Sequence, residues 1–167
     1  EALLAITLKN FTVRVNNRRI LNDLLLSMGF GEEDLMSVCI TFDKMDKVGA
    51  EGVEKELSEK EFSAQAVAKF VDFLKQGNFT LGYVKELMPE STAVSDVEKI
   101  ITTANSVADG KYDVVFDLSL VRGQGYYTGT VFEVVSNEFR GAIAGGGRYD
   151  NLIGKFLGES IPAVGFS

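Results

Sequence analysis

The hydrophobic period changes twice along this 167-residue chain, and that switch limits the fold more than any other feature. Phe11, Val13 and Val15 alternate with polar residues, the two-residue period of a half-buried strand. From Asn16-Asn17, a helix N-cap signal, Ile20, Leu21, Leu24, Leu25 and Met28 follow at helical spacing until Gly29. A second helix-like stretch starts at Glu32 and carries Leu35, Met36, Cys39 and Ile40. Residues 43–109 read as almost wholly helical. Ser63 caps one run, and Ser95 with Glu98 forms a capping box before Ile100, Ile101, Ala104 and Val107. After Gly110 strand signals return, at residues 114–116, 118–121, 130–135 and 139–144, with Asn137-Glu138 as a hairpin turn. A short helix over residues 149–157 and a strand over 162–167 complete the pattern. The expected class is α+β, an antiparallel sheet interrupted by a mostly helical insertion. Its parts are residues 1–42, the insertion 43–110, and the sheet segment 111–167.

Residue usage removes several chemistries. The chain has no histidine, which excludes a Ser-His-Asp triad, a histidine base and any His-ligated metal within it. One cysteine, Cys39, excludes an internal disulfide framework and suits a reducing compartment; it and the four methionines read as core filler. No apolar run approaches 18 residues, so no membrane span is expected. Net charge is −7, and residues 41–110 hold 8 basic against 13 acidic side chains. These read as solvated helix faces, and a nucleic acid would have to be gripped locally. The opening Glu1, with no leader, and the strand-like end at Ser167 suggest a piece of a longer chain.

Two glycine-rich segments hold the candidate chemistry. The first contains Arg122-Gly123-Gln124-Gly125-Tyr126-Tyr127-Thr128-Gly129-Thr130, the second Gly145-Gly146-Gly147-Arg148-Tyr149-Asp150. Neither has the spacing of a dinucleotide fingerprint or a P-loop. Glycines admit a flat or anionic ligand close to the backbone, and Arg122 and Arg148 offer guanidinium forks for carboxylate or phosphate. The tyrosines add aromatic faces with hydrogen-bonding tips. A pocket for a small amphipathic anion is one reading. Glycines serving bends and bulges, with tyrosines packed in the core, is the other.

Residues 116–123 with 126–133, and residues 144–150 followed by 162–167, resemble the two histidine-specific motifs of histidyl-tRNA synthetases and the approach to their motif 3. Residues 11–21 and 42–47 resemble the eukaryote- and archaea-like branch of the same family. The resemblance implies a class II synthetase-like fold: an antiparallel sheet with flanking helices. It implies joining L-histidine to ATP, with Mg²⁺, as histidyl-adenylate, then transfer to tRNA(His), by a cytoplasmic homodimer. Arg122 matches the arginine bridging the histidine carboxylate and the α-phosphate. Tyr126, Tyr127 and Tyr149 match histidine-pocket tyrosines, and Gly145, Gly146 and Gly147 would line the histidine and adenylate region. The helical block resembles an insertion that reaches the tRNA acceptor arm. Gln124-Gly125 stand where the family usually has Leu-Asp. Motifs 1 and 2, the motif 3 arginine and the anticodon-binding domain are expected outside these residues, leaving the segment inactive alone. Two other readings are a non-catalytic synthetase-like regulator, such as a subunit of an ATP phosphoribosyltransferase, and an unrelated glycine-rich binding module.

Overall fold

The computed structural model describes residues 10–120, 126–139, 141–159 and 161–167. Strand β1 (Phe11–Asn17) lies inside a five-stranded sheet ordered β2-β1-β3-β4-β5, with β2 Asp113–Phe116, β3 Thr130–Ser136, β4 Ala142–Arg148 and β5 Val164–Phe166. Between β1 and β2 stand helices α1 (Arg18–Met28), α2 (Leu35–Phe42), α3 (Met45–Ser58), α4 (Ala64–Gln76), α5 (Leu81–Leu87) and α6 (Thr92–Ala108); α7 (Asp150–Leu157) follows β4. The class is α+β with flanking helices, but the sheet is mixed rather than antiparallel throughout. β1 and β2 run parallel, and the other three pairings are antiparallel. Parallel neighbours need a long crossover. Here the helical block supplies it: α6, packed on β1 and β2, has 17 residues, about 25 Å of helix, enough to carry the chain back past a strand.

Local sequence sets most boundaries. The Asn17 side chain accepts from the Arg19 N–H and starts α1, and Gly29, in the left-handed region at φ 103°, ends it. Ser63 caps α4 by accepting from the Ala66 N–H. The box expected at Ser95 and Glu98 does not form. α6 begins a turn earlier, with Ser91 accepting from the Val94 N–H, because Ala93 and Val94 belong to the buried face. Glu98 instead meets Lys85 of α5 at 2.7 Å.

Three other expectations need correction. Residues 118–120 form a turn rather than a strand. The Asp117 carboxylate accepts from the Ser119 N–H and hydroxyl, offering the backbone a local alternative to the ladder. The strand expected over 139–144 is displaced to Ala142–Arg148, with Phe139 exposed in the turn, so the three glycines lie within a strand. In α2 the buried residues are Val38, Cys39, Thr41 and Phe42, while Met36 and Ile40 point outward. Cys39 is core as expected; Met36 is not.

One apolar cluster runs from Val15 through α1–α6 to Val114 and Leu118. Phe70, fully buried, is its centre, with the rings of Phe30, Phe42 and Phe73 at 5.8 to 6.3 Å. Burial pushes the Cys39 thiol up to about 11, against a smaller pull from Arg18. At the other end the apolar surface is uncovered: Phe156 and Leu157 of α7 and Val164 and Phe166 of β5 are all more than 60% exposed.

Candidate active-site cleft

Alternation along β1 turns Val13 and Val15 toward the helices and Thr12 and Arg14 to the opposite face. Register extends that face sideways: Arg14 lies opposite Glu133, and Glu133 opposite Gly145. Arg14 forms an ion pair with Asp117 and lies 4.0 Å from Glu133, so one guanidinium serves two half-buried carboxylates beside the glycine strand.

At the end of this face Tyr126, Tyr127 and Tyr149 come together. Ring centroids of Tyr126 and Tyr127 are 4.5 Å apart, and Tyr149 meets Tyr126 edge-on at 6.0 Å and Tyr127 at 6.5 Å. The hydroxyls of Tyr126 and Tyr127 are 3.4 Å apart. The three tyrosines, Gly145, Leu152, Gly165, Phe166 and Ser167 enclose a cleft of about 330 Å³. That is the low end of ligand pockets, the size for one small molecule with an aromatic part.

The glycines serve the cleft differently. Gly145 lines it and exchanges two 2.9 Å hydrogen bonds with Ser167. Gly146 and Gly147 are buried in β4 and do not line it. A Cβ on Gly146 would collide with the Gly165 carbonyl oxygen and lie 2.8 Å from the Phe166 Cα. On Gly147 it would lie 2.6 Å from the Thr130 carbonyl oxygen and 3.0 Å from the Tyr127 ring. These residues thus bring β5 and Tyr127 close enough to form the walls. Arg122 lies outside the described residues, as do Gly123, Gln124 and Gly125.

Two supports escaped the sequence reading. Asn16, read as a cap, is buried, and its Nδ2 donates to the carbonyls of Leu118 (3.1 Å) and Leu120 (3.2 Å). It fixes the chain that leads toward residue 122. Asp150 holds the turn between β4 and α7: its carboxylate accepts from Arg148 Nε (2.7 Å) and the Ala163 N–H (3.1 Å). The Arg148 bond, with a smaller share from Ala163, holds the Asp150 carboxyl below the ordinary carboxylate range. A depressed native value stabilises the fold above the unfolded carboxylate value of about 3.9 and loses that contribution as pH falls through the native one. Between pH 7 and 5 the Ala163 amide is therefore expected to keep constant hydrogen-exchange protection. Protection should fall below about pH 4, and Asp150→Asn should remove the pH dependence; a loss already at pH 6 would refute the assignment.

Comparison with known proteins decides the family. A family model described as histidyl-tRNA synthetase matches residues 1–167. The chain belongs to the histidyl-tRNA synthetase family. It is 41% identical to a histidine–tRNA ligase from Leifsonia xyli, over 98% of the chain and 40% of that protein. It is 38% identical to a cytoplasmic histidine–tRNA ligase of Oryza sativa, over 100% of the chain and 23% of that protein. The crystal structure of histidyl-tRNA synthetase from Nostoc sp. PCC 7120 superposes with a TM-score of 0.82 at 30% identity, covering 98% of the chain and 41% of that one. A Bacillus halodurans structure described as an ATP phosphoribosyltransferase regulatory subunit/histidyl-tRNA synthetase gives 0.79 at 26% identity, covering 99% and 44%. The chain thus spans about two-fifths or less of the length of these curated relatives. They include bacterial and plant proteins, so the comparisons do not single out the eukaryote- and archaea-like branch.

Proposed function

We propose that this segment supplies the histidine pocket of a histidine–tRNA ligase, which activates L-histidine with ATP and passes it to tRNA(His). The observation that carries the reading is the convergence of Tyr126, Tyr127 and Tyr149 on one amino-acid-sized cleft, in a chain of this family. A tyrosine hydroxyl paired to an imidazole nitrogen selects histidine, because a side chain without that nitrogen leaves the buried hydroxyl unpaired. Arg122 acts as the bridging cation between the histidine carboxylate and the α-phosphate, by position and charge. ATP and tRNA(His) are the other substrates, and the working form is a cytoplasmic homodimer. Residues 43–110 act as the insertion between the two parts of the catalytic core. Among the described residues no three Cys, Asp or Glu side chains converge to hold a metal. No described helix is long and apolar enough to cross a membrane.

A second reading, a regulatory subunit that binds histidine without activating it, is favoured by the superposition on the Bacillus halodurans structure. Histidine-dependent ATP–pyrophosphate exchange separates the two. The full-length protein carrying this segment is expected to show exchange, and the 167-residue chain alone none. Exchange by the isolated chain would contradict the assignment of the ATP-side groups to other parts of the protein. Histidine binding without exchange in the full-length protein would favour the regulator.

A further inference from the structure

Gly165 lies in β5, directly opposite Gly147 of β4. Its backbone is outside the left-handed region, so no local conformation calls for glycine there. A glycine inside a strand costs conformational entropy and packs no side chain, and β5 has only three residues to hold it in the sheet. In a strand such a glycine marks a bulge, a bend or the close approach of another group.

The group that approaches here is the Tyr149 phenol. A Cβ on Gly165 would collide with the Tyr149 hydroxyl and lie 3.1 Å from the ring atoms Cε1 and Cζ. Gly147 stands in the same relation to the Tyr127 ring, so the glycine pair seats two of the three tyrosines. The seats differ in what would yield. A Cβ on Gly147 also meets the Thr130 carbonyl oxygen, whereas the three nearest atoms to a Cβ on Gly165 all belong to the Tyr149 side chain. The Tyr149 backbone is tied, its N–H donating to the Ala163 carbonyl at 2.8 Å, so any movement falls on the ring. No group hydrogen-bonds the Tyr149 hydroxyl among the described residues. Packing against Tyr126, Tyr127 and Gly165 therefore sets where that hydroxyl sits.

We propose that Gly165 is a positioning residue for substrate selection: lacking a side chain, it seats the Tyr149 phenol on β5 and fixes the hydroxyl where it pairs with a polar atom of the bound amino acid. The inference rests on the ligase reading above, which makes that amino acid histidine. A hydroxyl discriminates only from a fixed place, and a shift of about 1 Å takes an O–H donor out of hydrogen-bond range. An alanine methyl at position 165 would push the phenol tip off β5 and cause such a shift.

The test is a double-mutant cycle in the full-length protein, read by calorimetric histidine binding and by histidine-dependent pyrophosphate exchange. Gly165→Ala is expected to raise the Kd and KM for histidine about fivefold to tenfold, and the KM for ATP less than about twofold. Tyr149→Phe weakens histidine binding by itself, but it removes the atom that the methyl meets. In that background Gly165→Ala should cost less than about twofold. Equal losses in both backgrounds would overturn the proposal. So would an equal rise in the KM for ATP, which would make Gly165 part of an ATP seat. A Gly165→Ala protein that melts early in both backgrounds would overturn it too, since the collision would then lie with backbone. Histidine binding without exchange in the unsubstituted protein would overturn the ligase reading alone, and the binding cycle would still decide the role of Gly165.

Discussion

Arg122→Ala in the full-length protein is expected to lower histidyl-adenylate formation at least ~100-fold, the scale for removing one transition-state donor, about 3 kcal/mol. The reasoning is electrostatic. The histidine carboxylate and the α-phosphate repel each other as they approach, and charge grows at phosphorus in the transition state. A fixed cation aimed between them stabilises that arrangement more than the separated substrates. Arg122→Lys should recover only part of the rate, because an ammonium keeps the charge and loses the fork. Pre-steady-state adenylate formation is the measurement, and a loss under tenfold would remove Arg122 from the bridging role. Asn16 anchors the carbonyls of Leu118 and Leu120, four and two residues before position 122 in the sequence.

Gly146→Ala is expected to release β5 from β4 and open the tyrosine cleft. Gly146 lies in ordinary extended backbone, so the cost is collision and not conformation. The added methyl would meet the Gly165 carbonyl oxygen and the Phe166 backbone, neither of which can rotate away as a side-chain tip could. Overpacking of this kind costs about 1–3 kcal/mol, more where backbone must move. β5 pairs through three residues, whereas β3 holds β4 from the other side through a longer register, so β5 is the element that yields. Since Gly165, Phe166 and Ser167 form one wall, histidine affinity should fall more than tenfold, about 1.4 kcal/mol or more. In the 167-residue chain, amide exchange at Gly145 and Ser167 should accelerate while that of the Phe70 region stays protected. Unchanged exchange at both amides would refute the steric account.

The helices were legible where the determinants are local. The Asn17 and Ser63 caps, Gly29 and the apolar faces of α1 and α4 act within a turn or two of chain. Where two local signals competed, reading failed: Ser91 and Ser95 both cap well, and only the burial of Ala93 and Val94 against the core selects the first. Asp117 likewise turns a strand-like run into a bend through its own side chain.

The candidate site divides along the same line. Residue type and order by themselves singled out the side chains proposed to carry chemistry: Arg122, the three tyrosines and the glycine run, each matched to a chemical need. They also determined the helical block between two sheet segments, since hydrophobic period is a local property. Only the tertiary structure decided that β2 runs parallel to β1, that Gly145 alone of its run lines the cleft, and that Arg19, Lys99 and Arg148 share a second one. Those facts bring together residues far apart in the chain, such as Arg19 and Arg148, 129 positions apart, which line one cleft. Strand direction, close approach and shared charge come from packing across the whole chain, and no local window of sequence contains it.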